Sequence, residues 1–216
     1  MPNEIFQELL NHKIVAIVRG IAAATADDTA QALAAGGIRL LEVTMNTPGA
    51  LEMIARWRQQ YSELRIGAGT VLDLPMAEEA VAAGAQFLIS PNLDEEVVAY
   101  GVQNDVEVWP GTMTPTEIVR AWKAGAHAVK VFPLSTLGPQ YLKDIRAPLG
   151  HIPMIAVGGV DLENTAAFLR AGAIGVGIGS SLVDKSLIEA GRFEDLTALA
   201  AKYVAAVSSV NGGTAS

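Results

Sequence analysis

The chain has 216 residues, half of them apolar, no cysteine and a formal net charge of −8. That length supports one well-filled core in a single domain, and an acidic balance without a basic cluster argues against nucleic acid or an anionic membrane as partner. The absence of cysteine excludes disulfides and thiolate metal sites, and no apolar stretch is long enough to span a bilayer.

The opening Met1–Leu10 lacks the basic and apolar segments of a signal peptide and reads as a short amphipathic helix, so a reducing, cytoplasmic setting is expected. Short β-branched runs then alternate with alanine-rich segments. Strands are predicted near Ile14–Arg19, Arg39–Thr44, Arg65–Ala68, Gln86–Ser90, Val106–Trp109, Ala128–Phe132, Met154–Val157 and Gly175–Ile178. Helices are predicted near Thr25–Ala35, Pro48–Gln60, Pro75–Ala83, Asp94–Asn104, Thr114–Ala124, Pro139–Ala147 and Asp161–Ala171, with Glu194–Ser208 as a closing helix. Several open on a cap residue or proline and close on glycine, as at Gly36, Gly84, Gly125 and Gly172. The tail Ser208–Ser216, rich in Ser, Gly and Asn, is expected to fray.

Repeated βα units need crossovers that place helices outside a parallel sheet, and eight of them close into a barrel. The expected fold is therefore a (β/α)8 TIM barrel, in the α/β class, with an N-terminal helix. An open doubly wound sheet is the rival, but its glycine-rich phosphate turn should follow the first strand, and Arg19-Gly20-Ile21-Ala22 is not that turn.

In such barrels the chemistry sits where strands finish. Lys130 lies inside the apolar run Ala126–Pro133, where burial disfavours its charged form and makes it a candidate amine nucleophile. Strand alternation puts Ala128, Lys130 and Phe132 on one face and the two valines on the other; the bland alternative is a lysine whose stem crosses an apolar surface to water. By the same parity Leu40, Glu42 and Thr44 share the inward face of the second strand. The second and sixth strands are both even-numbered, so Glu42 and Lys130 can approach each other in one layer, as a functional couple or as a structural ion pair. Gly158-Gly159 after the seventh strand and Gly179-Ser180 after the eighth occupy the usual phosphate position of this architecture, with a helix N-terminus expected to follow; the alternative is a pair of tight turns. Thr70 follows the third strand and presents a hydroxyl, either to a ligand or to its own turn. Pro91 and Pro110 stiffen the rim. His12, His127 and His151 have no partners at metal-ligand spacing, so no metal is expected.

Taken in order, Lys-Ile-Val-Ala-Ile-Val-Arg-Gly, Leu-Glu-Val-Thr-Met-Asn-Thr-Pro, Ile-Gly-Ala-Gly-Thr-Val-Leu, Phe-Leu-Ile-Ser-Pro-Asn, Trp-Pro-Gly-Thr, Val-Lys-Val-Phe-Pro, Ala-Val-Gly-Gly-Val and Gly-Ile-Gly-Ser resemble the class I 2-keto-3-deoxy-6-phosphogluconate (KDPG) and 4-hydroxy-2-oxoglutarate (KHG) aldolases over roughly residues 5 to 190. The resemblance implies that Lys130 forms a Schiff base with a phosphorylated keto acid and that Glu42 is the general acid/base. It further implies that Thr70 contacts the pyruvyl portion and Arg19 the substrate's anionic part. Gly158, Gly159, Gly179 and Ser180 would hold the phosphate. The products would be pyruvate and glyceraldehyde 3-phosphate, or pyruvate and glyoxylate from 4-hydroxy-2-oxoglutarate, with no cofactor, and the assembly a homotrimer. Gluconate-type members often carry arginine where this chain has Asn46; Asn46, Val18-Arg19-Gly20 and Leu137–Tyr141 are more like the 6-phosphogalactonate (KDPGal) branch.

The implied chemistry needs these residue types. An amine condensed with a ketone gives an iminium that accepts electrons, and a carboxylate moves the protons. Two rivals share the phosphate turns: a phosphosugar isomerase or epimerase, which needs no imine, and a non-catalytic sugar-phosphate sensor.

Overall fold

The computed structural model describes residues 4–211. Helix α1 (Glu4–His12) comes first, and the strands are β1 (Ile14–Val18), β2 (Leu40–Thr44), β3 (Arg65–Gly69), β4 (Phe87–Ile89), β5 (Glu107–Trp109), β6 (Gly111–Thr112), β7 (Val129–Val131), β8 (Met154–Val157) and β9 (Gly175–Ile178). All the ladders are parallel, in the order β5-β4-β3-β2-β1-β9-β8-β7-β6. At one end of that series β5 matches the predicted strand Val106–Trp109, and at the other β6 is a short strand just beyond it, past Pro110, that was not predicted. Pro110 has no N–H to give to a ladder, so β5 pairs with β4 before it and β6 pairs with β7 after it. The Pro110 carbonyl accepts from Lys130 N–H at 2.9 Å, and the barrel closes through that kink. The expected (β/α)8 architecture is present.

Helices α2 (Ala23–Ala35), α3 (Ala50–Gln60), α4 (Leu74–Ala82), α5 (Glu95–Asn104), α6 (Pro115–Lys123), α7 (Gly138–Leu149), α8 (Thr165–Arg170), α9 (Lys185–Glu189) and α10 (Phe193–Asn211) wrap it. Caps decide where several begin: Asp94 accepts from Glu96 and Val97 N–H, and Thr114 with Glu117 forms a reciprocal capping box. The short α9 was not expected, and α10 continues through residues 208–211, which the sequence suggested would fray. The rest of that stretch, 212–216, and the expected helical start at 1–3 lie outside the described residues. The left-handed residue closing α2 is Gly37, at φ +95°, rather than Gly36. No helix among the described residues is long and apolar enough to cross a membrane.

Side-chain parity divides the apolar interior in two. Ile14, Ala16, Val18, Leu41, Val43, Val129 and Val131 pack outward under the helices, whereas Val15, Ile17, Leu40, Phe87, Trp109, Ala128, Ile155 and Val157 fill the barrel. Phe87 and Trp109 stack with ring centroids 4.9 Å apart. From below, Ile5, Phe6 and Leu9 of α1 join this inner cluster and plug the N-terminal end, each burial being worth about 1.5–3 kcal/mol. Leu9 lies so close that a Cβ on Gly175 would stand 2.9 Å from its Cδ1. With α1 packed across the floor, the cavity that reaches Lys130 lies where the strands end.

Candidate active site

Glu42 on β2 and Lys130 on β7 both project into the barrel, as their neighbours Leu40 and Ala128 do. They are almost completely buried, 1% and 4% exposed. Space for the carboxylate comes from Gly69 on the adjoining strand, where a Cβ would stand 2.5 Å from Glu42 Oε1. That is a close approach only glycine permits. Beside Lys130, Gly111 and Ile155 are its register partners, and Nζ lies 4.8 Å from the centroid of the Phe132 ring.

The two charges do not form an ion pair: among the described residues no carboxylate lies within 4.0 Å of Lys130 Nζ, and Glu42 Oε1 is buried without a hydrogen-bond partner there. Burial pushes the Glu42 carboxyl above the ordinary carboxylate range, against the opposing pull of Lys130 and then Arg19. Burial likewise pulls the Lys130 ammonium below the ordinary lysine value; Glu42 resists this and Arg19 reinforces it. Burial thus drives the two pKa values toward each other, which favours a neutral amine on one side and a proton-holding carboxyl on the other.

Lys130 opens into a cavity of about 620 Å³. Its walls bring together Arg19, Gly158, Gly159, Gly179 and Ser180, five of the residues picked from the sequence. Gly158 and Gly159 are both left-handed, at φ +93° and +71°, and a Cβ on Gly159 would stand 2.6 Å from Ser135 Cα, so this turn requires glycine twice. Neither turn runs directly into a helix, contrary to expectation. Asp161 accepts N–H groups of Glu163 and Asn164 at 3.0 and 2.9 Å and delays α8 to Thr165, while α9 starts only at Lys185. What this wall offers an anion is turn N–H groups, the Ser180 hydroxyl and cationic side chains rather than a helix dipole.

Glu42 and Thr70 do not line this cavity. Glu42 lies within the barrel and acts on Lys130 through the field. Thr70 follows Gly69 at the mouth end of β3 in a left-handed conformation, φ +59°, as Lys13 and Asp105 do elsewhere in the chain. Asn46 is exposed and also outside the cavity wall. Sequence reasoning missed Asp161, Ser181 and Lys185, which do line it; their position two to six residues past a glycine turn was the only available signal. Among the described residues no three His, Asp or Glu side chains gather as a metal-binding group.

The sequence matches the family described as KDPG and KHG aldolase over residues 5–199. It is 37% identical to 2-dehydro-3-deoxy-phosphogluconate aldolase of Treponema pallidum over 196 residues, 90% of this chain and 93% of that protein. It is 38% identical to 2-dehydro-3-deoxy-6-phosphogalactonate aldolase of Escherichia coli over 171 residues, 78% and 83% of the two chains. The fold is similar to the crystal structure of a Legionella pneumophila KDPG aldolase with pyruvate captured as a covalent carbinolamine, with a TM-score of 0.83 and 29% identity over 88% of this chain and 93% of that one.

Proposed function

Because the chain belongs to the KDPG and KHG aldolase family, we propose that it is a Schiff-base aldolase cleaving a 2-keto-3-deoxy-6-phospho sugar acid to pyruvate and glyceraldehyde 3-phosphate. It is a carbon–carbon lyase. The observation that carries the residue assignment is Lys130: an amine buried in a barrel, free of any ion pair among the described residues, pushed toward neutrality and open to a cavity whose far walls are glycine turns and a cation.

Neutral Lys130 adds to the C2 ketone to give a carbinolamine, which loses water to become the iminium. Glu42, as carboxylate, takes the proton from the C4 hydroxyl through one water, since it lies beyond the cavity wall. The C3–C4 bond then breaks, its electron pair moves toward the iminium nitrogen, and glyceraldehyde 3-phosphate leaves as the aldehyde. Protonated Glu42 returns its proton to C3 of the enamine, and water hydrolyses the new iminium to release pyruvate and restore the amine. The raised pKa of Glu42, caused by burial, suits the second half of this cycle, because a carboxyl lifted above its ordinary range holds the proton it must later return.

Arg19, with Gly158, Gly159, Gly179 and Ser180, serves the phosphate end, and Thr70 serves the pyruvyl end, its place after Gly69 at the mouth end of β3 being the support for that role. Borohydride reduction with pyruvate, followed by mass spectrometry of the digest, tests the scheme: the adduct is expected on Lys130, and an adduct elsewhere or none ends it. The substrate has either the gluconate or the galactonate configuration, and assaying the two phosphates side by side decides between them. The same reading includes one catalytic domain in a homotrimer and a cytoplasmic setting, supported by the single continuous sheet, the family resemblance and a cysteine-free chain. Light scattering of the purified protein tests the trimer.

A further inference from the structure

Two cations line the cavity near its rim, Arg19 just after β1 and Lys185 at the start of α9. Among the described residues neither has a carboxylate within ion-pair distance. The chain arrives at Lys185 through a tight turn in which Leu182 and Val183 N–H both donate to the Gly179 carbonyl, at 2.9 and 2.8 Å. Asp184, the adjacent acid, is already engaged: it accepts Ser186 N–H at 2.8 Å and the Ser186 hydroxyl at 2.6 Å. Asp161, the acid in the cavity wall, accepts two backbone N–H groups.

The lysine stem crosses toward the loop after β1, and Nζ lies 3.0 Å from where a Cβ on Gly20 would stand. That loop is fixed in turn. Gly20 N–H donates to Thr47 Oγ1 at 2.9 Å, and Thr47 Oγ1 lies 3.0 Å from Thr44 Oγ1, with both threonines buried. Since β1 and β9 are paired neighbours, the two cations share one side of the mouth with the turns Gly158-Gly159 and Gly179-Ser180. Unpaired like charges in one wall repel each other, and a dianion bound between them relieves that repulsion.

We propose that Lys185 is a specificity-determining residue that, together with Arg19, recognises the phosphoryl dianion of the substrate and selects keto acids ending in phosphate over those ending in a hydroxyl. This rests on the aldolase reading and adds a residue to it. A keto acid ending in a carboxylate, such as 4-hydroxy-2-oxoglutarate, presents a smaller charge on a shorter chain and gains less from Lys185.

Lys185→Met keeps the stem and removes the charge. The ratio of kcat/KM for the phosphorylated substrate to that for its unphosphorylated counterpart is expected to fall about tenfold or more, mainly through KM, with Lys185→Arg restoring most of it. An unchanged ratio, or equal losses on both substrates, overturns the proposal. Calorimetric titration with orthophosphate reads the same site without turnover: binding about tenfold weaker in Lys185→Met supports it, and equal binding overturns it. Pyruvate trapping on the unmodified protein keeps the two readings apart, because a missing adduct ends the aldolase assignment while the orthophosphate comparison still decides Lys185.

Discussion

At the floor of the barrel Arg65 reaches Glu4 and Glu8 of α1, at 2.6 and 3.1 Å, and buried Glu107 meets His127 Nδ1 at 2.9 Å and Trp109 Nε1 at 3.2 Å. At the mouth, Glu42 and Lys130 are as deeply buried, yet they share no ion pair and one carboxylate oxygen has no hydrogen-bond partner. Arg65 also leaves one buried nitrogen, Nε, unpaired, but two carboxylates neutralise its guanidinium. The same fold thus satisfies charge at one end and withholds satisfaction at the other. An unsatisfied buried charge destabilises, so its persistence at the end where barrels place their chemistry marks function.

The sharpest way to break this contrast is to remove the amine. Lys130→Ala is expected to give no pyruvate adduct by mass spectrometry and no measurable cleavage in a coupled pyruvate assay. Glu42→Gln should slow cleavage about 10²–10⁴-fold while still forming the borohydride-trapped adduct. At the floor the signature reverses: Phe6→Ala should lower unfolding free energy by about 3–5 kcal/mol in urea titrations and leave KM where it was. Neutralising the mouth with Lys130→Met and Glu42→Gln together should raise stability by about 1–4 kcal/mol.

That gain depends on pH in a defined way. With its pKa lowered from 10.5, Lys130 penalises the folded state as pH falls below that value; with its pKa raised from 4.5, Glu42 penalises it as pH rises above that one. The double variant should therefore gain most near neutrality and less toward either extreme. The smallest expected effect is the pH shift caused by Arg19→Gln, separate from the rise in KM that losing a phosphate contact brings. Arg19 lowers both pKa values, so its loss raises both. Since cleavage needs a neutral lysine and a charged carboxylate, the acid limb of the kcat profile should move to higher pH, by a few tenths of a unit for a partly solvated charge.

Period-two alternation around Lys130 and Glu42 was enough to aim both side chains inward, because a strand leaves only two faces to choose between. The glycine turns were legible for a similar reason, a local backbone requirement written in residue type. Lys185 was not legible: its importance depends on a stem crossing from the end of β9 to the loop after β1, a contact between segments far apart in the chain. The split at Pro110 could have been read from its missing N–H, whereas the delay of α8 depends on how Asp161 uses its side chain. The Glu42–Lys130 relationship was half visible, since parity brings them into one interior but says nothing about whether they touch.

The α1 plug has a further consequence for traffic. A barrel stoppered below favours one doorway, and on the proposed chemistry the carbon attached to Lys130 lies deeper than a phosphate held by the glycine turns at the rim. The aldehyde fragment must therefore depart first, and the tethered three-carbon acid can follow only after hydrolysis. In the condensing direction the queue reverses, with pyruvate entering before glyceraldehyde 3-phosphate. Product-inhibition kinetics should show that fixed sequence, and a random order would mean the doorway admits both fragments side by side.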